Sequence, residues 1–185
     1  MRIVGGKFRG RHFTPPKSFS ARPTTDFAKE SLFNIINNNY DFEELKVLDL
    51  FSGTGSISFE FISRGVISVD SIERDFVHNK FIKETAQKLN ISNLNAIKAD
   101  AFGFINRSYA KYNIIFADPP YDLKGIDQIP DIIFSRDLLE EGGCFILEPS
   151  ANYKFDNHLF FSEHRYNGNI KFTFLYLFFL CIYYL

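Results

Sequence analysis

The chain has no tryptophan and only two cysteines, Cys144 and Cys181, among its 185 residues. Two thiols cannot build a disulfide framework or a cysteine-based metal cluster, and their scarcity fits a reducing compartment. The four histidines, His12, His78, His158 and His164, have no second ligand at metal spacing, so surface or structural roles are expected of them and no metal site is. The apolar run of a secretory signal is missing from the N-terminus. Charge is missing from residues 172–185, yet that stretch is shorter than the roughly 20 residues a membrane-spanning helix needs. A cytoplasmic protein with no membrane partner is therefore expected, and nothing in the chain demands more than a monomer. The start of the chain lacks acid but not base: residues 1–25 hold six basic side chains and no carboxylate. Beyond them stand 15 basic and 22 acidic residues, so a net charge of -1 conceals a basic arm on a body of about -7. Such an arm suits a polyanionic partner.

What is present is ordinary for one globular domain: 45% hydrophobic and 23% charged residues in a chain long enough for a sizeable core. The 23 phenylalanines are an unusual number, for which the sequence alone offers no physical reason. Residues 2–13 read as two short strands turning at Gly5-Gly6 or Gly10, with Lys7, Arg9 and Arg11 alternating onto one cationic face. Pro15-Pro16 then forms a stiff spacer. Thr24 or Thr25 caps a helix running to about Ile36, with Leu32, Phe33 and Ile36 in its apolar stripe.

Next comes a strand over 46–51, the turn Ser52-Gly53-Thr54-Gly55, and a helix to about Ser63. The glycines let a ligand approach the backbone, and the helix start offers free N–H groups. The pattern stops short of G-x-G-x-x-G, because Ser58 stands where the third glycine would fall. Asp49 lies inside this strand. A carboxylate there repels a pyrophosphate but suits an ammonium or sulfonium, which argues against NAD and for S-adenosylmethionine. A second strand over 66–72 ends at Glu73, placed to accept ribose hydroxyls. A helix follows over 76–89. The third strand, 95–99, ends at Asp100-Ala101, within reach of an adenine amino group, with Phe102 able to lie against the ring.

The fourth strand, 112–117, ends in Asp118-Pro119-Pro120-Tyr121. Two prolines stiffen the turn and remove two N–H donors, leaving carbonyls that can accept bonds. Acceptors beside a flat ring suit a planar group carrying an NH2, such as a nucleobase. A helix over 126–139 and a fifth strand over 144–148, introduced by Gly142-Gly143, follow. Two further strand-like runs, 159–166 and 169–177, flank Asn167-Gly168, a hairpin signal. Residues 178–185 have no clear place.

Together these pieces resemble the class I S-adenosylmethionine-dependent methyltransferases, and more narrowly the RsmD family of 16S rRNA guanine-N2 methyltransferases. Four features carry the likeness: the Gly-Gly-Lys-aromatic-Arg-Gly-Arg run within residues 2–11, Arg22-Pro23-Thr24-Thr25-Asp26, Asp49 to Gly55, and Asp118 to Tyr121. The resemblance implies an α/β, Rossmann-like fold with a seven-stranded sheet in the order 3-2-1-4-5-7-6, a terminal antiparallel hairpin and a small N-terminal β-hairpin arm. It divides the chain into a basic RNA-binding arm (1–23), a methyltransferase domain (24–177) and an atypical apolar tail (178–185). It also implies S-adenosylmethionine held by Asp49, Phe51, Gly53, Gly55, Glu73, Asp100 and Ala101. Asp118, Pro119, Pro120 and Tyr121 would hold the target guanine, and Arg2, Lys7, Arg9, Arg11 and Arg22 would grip 16S rRNA or an assembling small subunit. Asp-Pro-Pro-Tyr suits any exocyclic amine, so a DNA adenine-N6 or cytosine-N4 methyltransferase remains an alternative, although no target-recognition domain is evident. Protein glutamine methylation would leave the arm unexplained. A non-catalytic RNA-binding assembly factor on the same fold would leave Asp49 and Asp118 unexplained.

Overall fold

The computed structural model describes residues 1–15, 25–150 and 153–177. The expectations for Pro16, Arg22, Pro23 and Thr24, and for the tail 178–185, fall outside them. Seven strands form one sheet: β1 (Lys46–Asp49), β2 (Ser68–Glu73), β3 (Leu94–Lys98), β4 (Tyr112–Ala117), β5 (Leu139–Leu147), β6 (Phe161–Asn167) and β7 (Ile170–Tyr176). Their order is β3-β2-β1-β4-β5-β7-β6, as the family resemblance implies. The first five run parallel, and β7 joins β5 and β6 antiparallel. Helices cover both faces, which is why β4 reads as an unbroken apolar run rather than an alternating one.

On one face lie α1 (Asp26–Asn39), α2 (Ser56–Arg64) and α3 (Phe76–Lys88). Thr25 caps α1 by accepting a hydrogen bond from Ala28 N at 3.2 Å. Leu32, Phe33 and Ile36 of α1 are buried with Phe61 and Ile62 of α2 against Val47, Phe116 and Ile146 of the sheet. The ring of Phe33 meets that of Phe61 edge-on at 4.6 Å, so several of the phenylalanines find their use in this layer. The opposite face carries α4 (Ala101–Ile105) and α5 (Gln128–Ser135), where Ile105, Ile129 and Ile133 pack on Leu48, Ile115 and Leu147.

Three expectations are corrected. The helix expected over 126–139 ends at Ser135, because Asp137 turns the chain with φ +54° and sends Leu138 and Leu139 into the core. The fifth strand therefore begins at Leu139, and Gly142-Gly143 lie inside it, where the register against β4 shifts between Tyr112 and Ile114. They mark a bulge rather than a lead-in. The hairpin loop is Gly168-Asn169, one residue later than expected, between the paired Asn167 and Ile170.

The N-terminal segment makes a single antiparallel bridge, Arg2 to His12, in place of two strands. Its shape is set by α2 instead. The buried carboxylate of Glu60 accepts Val4 N at 2.9 Å and Gly5 N at 2.7 Å, and Ser63 O accepts Lys7 N at 2.7 Å. Gly6, with φ +69°, passes so close to α2 that a Cβ there would sit 1.8 Å from Ser63 O, so only glycine fits. Ile3 is buried with Phe59 and Ile82, which seats the segment on the α2–α3 layer. Among the described residues, no helix is long and apolar enough to cross a membrane.

Candidate active site

Each of the five parallel strands delivers an acid to the same edge of the sheet. Asp49 and Glu73 are the last residues of β1 and β2; Asp100, Asp118 and Glu148 follow β3, β4 and β5 within two residues. Pairing fixes which face they share. Asp49 is in register with Ser71 and Phe116, and Phe116 with Ile146. Glu73, Asp118 and Glu148 lie two residues beyond Ser71, Phe116 and Ile146, so strand alternation returns them to the face of Asp49. This is the face covered by α2 and its glycine turn.

The turn is tied to the acids by hydrogen bonds. Gly53 N donates to Glu73 Oε2 at 2.9 Å, and Glu73 Oε1 accepts Asp75 N at 2.7 Å. Gly53 and Gly55 both take positive φ, and a Cβ on Gly55 would press on Phe59 and Ile82 at 3.0 and 3.1 Å. Gly55 opens α2 with no side-chain cap. Ser58, which breaks the glycine pattern, lies one turn into α2, and its Oγ is 2.6 Å from Asp49 Oδ2 and 2.9 Å from Ser71 Oγ. The serine thus serves the carboxylate that a third glycine could not.

Burial and mutual repulsion set the electrostatics. Asp49 is 1% exposed. Its carboxyl is pushed up to about 7, chiefly by burial and further by Asp118 and Glu73, against the Ser58 hydrogen bond. Asp118 is raised by desolvation, and Glu148 by desolvation and by the charge of Asp118. Acids so placed share protons when alone and ionise fully beside a positive charge. The donor set therefore fits a cation, held over a turn whose glycines leave room for it.

The family model described as "Conserved hypothetical protein 95", that of the RsmD family, matches residues 1–176. The chain belongs to the RsmD family. It is 29% identical over 148 residues to the ribosomal RNA small subunit methyltransferase D of Buchnera aphidicola subsp. Baizongia pistaciae, a match covering 80% of this chain and 75% of that one. To the protein of the same name from Escherichia coli K12 it is 32% identical over 141 residues, covering 76% and 64%. Its fold is similar to that of a hypothetical protein from Thermus thermophilus, with TM-score 0.82, 23% identity, and 95% and 98% of the two chains covered. The T. thermophilus 16S rRNA N2 methyltransferase RsmC, solved in complex with AdoMet and guanosine, shares it at TM-score 0.66 and 20% identity, over 85% of this chain and 44% of that one.

Within this RsmD-family chain the expected site residues are distributed as follows. Gly53 is bonded to Glu73, and Gly55 is linked to Asp49 through Ser52, whose Oγ donates to Asp49 O and whose O accepts Gly55 N. Asp100 caps α4, accepting Gly103 N at 2.8 Å, while Ala101 is buried and Phe51 and Phe102 pack partly buried into the α4–α5 layer. After β4, Pro119 is buried and Pro120 and Tyr121 are exposed, Tyr121 to 83%. Of the two proline carbonyls, that of Pro120 is taken by Leu123 N at 3.0 Å; that of Pro119 and the carboxylate of Asp118 have no partner among the described residues. Lys7, Arg9 and Arg11 are exposed, whereas Arg2 is bonded to Asp26 at 2.7 Å. Two open cavities of about 510 and 560 Å³ lie elsewhere, one beside β6 and β7 and one at the end of α1, and neither is lined by any of these residues. Sequence reasoning passed over Glu148, Glu60 and the role of Ser58. The signal for Glu148 was available: it closes an apolar strand as Asp118 does.

Proposed function

We propose that this protein transfers a methyl group from S-adenosylmethionine to the exocyclic N2 of a guanine in small-subunit ribosomal RNA. One observation carries the reading: Asp118, with open acceptors and a rigid proline turn, stands on the strand beside Asp49, whose buried carboxylate calls for a cation. The names of the relatives support rRNA as the substrate, and the fold is one on which guanine N2 methylation occurs. S-adenosylmethionine fits the residues present. Asp49 would face its positively charged methionine end, Gly53 and Gly55 would leave the space, and Glu73 would meet the ribose. When bound it supplies a methyl group on a sulfonium, already a strong electrophile.

The protein's task then lies with the nucleophile. The N2 lone pair of guanine is delocalised into the ring. Asp118 and the Pro119 carbonyl accept its two N–H bonds, which lets the nitrogen pyramidalise and aim its lone pair. Tyr121, exposed beside them, stacks on the extruded base. No strong base is needed, because the amine becomes acidic only as it is alkylated. Orientation supplies most of the rate, and well-placed reactants gain on the order of 7–11 kcal/mol. Extruding the base costs a few kcal/mol, which Lys7, Arg9 and Arg11 help to offset at the phosphates.

The test is methyl transfer from labelled S-adenosylmethionine to naked rRNA, small subunits, DNA and protein, with products identified as nucleosides. N2-methylguanosine from an RNA-containing substrate is expected; methylated adenine or cytosine in DNA would overturn the reading. Asp118→Ala should abolish transfer while leaving cofactor affinity within a few-fold. Equal loss of both would refute the division of labour between Asp118 and Asp49.

A further inference from the structure

We propose that Glu148 selects the base, accepting the N1–H of the guanine whose N2 amine is held by Asp118 and Pro119. This rests on the methylation reading above and adds the residue that decides which base is accepted.

Glu148 follows β5 directly, and its N–H donates to Ala117 O at 2.9 Å, extending the β4–β5 ladder by one bond. Ala117 is paired with Leu147, so Asp118 and Glu148 stand side by side on neighbouring strands. Glu148 Oε2 is buried with no hydrogen-bond partner among the described residues. Two residues on, Ser150 Oγ is also buried and has no partner among the described residues, in a residue 9% exposed. Buried acceptors without donors are costly, and they persist where a ligand supplies what the protein does not. A second carboxylate beside Asp118 makes the same demand more sharply, since with both ionised the pair offers only acceptors and repels itself.

Guanine answers that demand with chemistry no other RNA base has. Its N1–H and N2–H groups are neighbouring donors on one edge, both nitrogens being bonded to C2. Adenine sets the N1 lone pair beside its amine, and cytosine sets the N3 lone pair beside its own; either lone pair would face Glu148. Uracil has no amine. Two neighbouring carboxylates therefore accept guanine and reject the bases methylated by the rival chemistry.

The test compares wild-type protein with Glu148→Gln on rRNA, using labelled S-adenosylmethionine, nucleoside mass spectrometry and a separate measurement of cofactor affinity. The amide keeps size and one acceptor but can donate to a ring lone pair. A roughly ten- to hundred-fold loss of kcat/KM on guanine is expected, with cofactor affinity within a few-fold. The variant should also narrow the preference for guanine over 2-aminopurine, ligated into the rRNA at the mapped position, because that base keeps the amine and replaces N1–H with a lone pair. Wild-type protein alone decides if the variant does not fold: a preference for guanine over 2-aminopurine above tenfold supports the proposal, and equal rates overturn it. E148Q with wild-type rate and preference overturns the role of Glu148 while leaving guanine methylation standing. A wild-type product other than N2-methylguanosine overturns both.

Discussion

Asp49→Asn is expected to stabilise the protein at neutral pH, in the absence of ligand, while weakening its hold on a cationic one. Asp49 is 1% exposed and its carboxyl is raised from 3.8 to about 7, with burial the largest cause. The folded chain thus holds the proton more tightly than the unfolded chain does. Stability from this group is complete below about pH 4 and is lost as pH rises through about 7. At 1.36 kcal/mol per unit, a shift of about three units removes about 4 kcal/mol by pH 8, of which about 1.6 kcal/mol is already gone at pH 5. Asparagine keeps the size and an acceptor for Ser58 but does not ionise. The difference in unfolding free energy between variant and wild type should therefore widen by about 2–3 kcal/mol from pH 5 to pH 8. Urea denaturation at the two pH values reads this directly. Calorimetry should show affinity for S-adenosylmethionine falling roughly tenfold or more in the variant at pH 8. Parallel stability curves, or a variant less stable at pH 8, would refute the assignment of buried charge to Asp49.

Replacing Lys7, Arg9 and Arg11 together with alanine should raise the KM for RNA and lower the slope of log affinity against log salt by about 2, with cofactor affinity unchanged. Unaltered activity on RNA would mean that the loop is not the grip. Glu60→Gln should cost about 3 kcal/mol in denaturant unfolding, because an amide N–H would replace one of the oxygens that accept Val4 N and Gly5 N. Hydrogen exchange should show those two amides exposed in the variant; full protection would show that α2 does not set the shape of the segment.

The sheet was legible because its pattern is local. Apolar runs ending in an acid, glycine turns and helical stripes each sit within a dozen residues, and they gave strand order once joined to the family likeness. What escaped depended on distant partners. The bulge at Gly142-Gly143 exists only against Tyr112 and Ile114. Residues 2–13 alternate like a hairpin, yet Glu60 and Ser63, more than fifty positions away, satisfy their backbone instead. Lys29 looks like a solvated helix residue and is buried at 1% exposure, its Nζ bonded to Arg2 O and 3.3 Å from Asp26. In the site, Asp49, Glu73 and Asp118 stood out as acids at strand ends. Glu148 ends its strand in the same way, but the weight it carries comes from lying beside Asp118, a relation visible only across the β4–β5 ladder.

The acids also explain one another. A domain of this size is stable by only about 5–15 kcal/mol, and ionised Asp49 alone removes about 4 kcal/mol of that. Packing does not require this: the neighbouring strand interior is satisfied by Leu48, Ile115 and Phe116. Where a fold keeps several carboxylates against local preference, the compensation comes from what binds there. A proton and a cation are then alternatives at the same carboxylate, since each relieves the repulsion among Asp49, Glu73 and Asp118. Glu148 extends the logic outward by one strand. On the proposed reading its repulsion with Asp118 would be answered by the donors of a base rather than by the charge of a cofactor, which would divide one row of acids into a half that calls for a cation and a half that calls for N–H groups. On that reading the boundary between the halves would fall between β1 and β4, where the methyl group would pass from one side to the other.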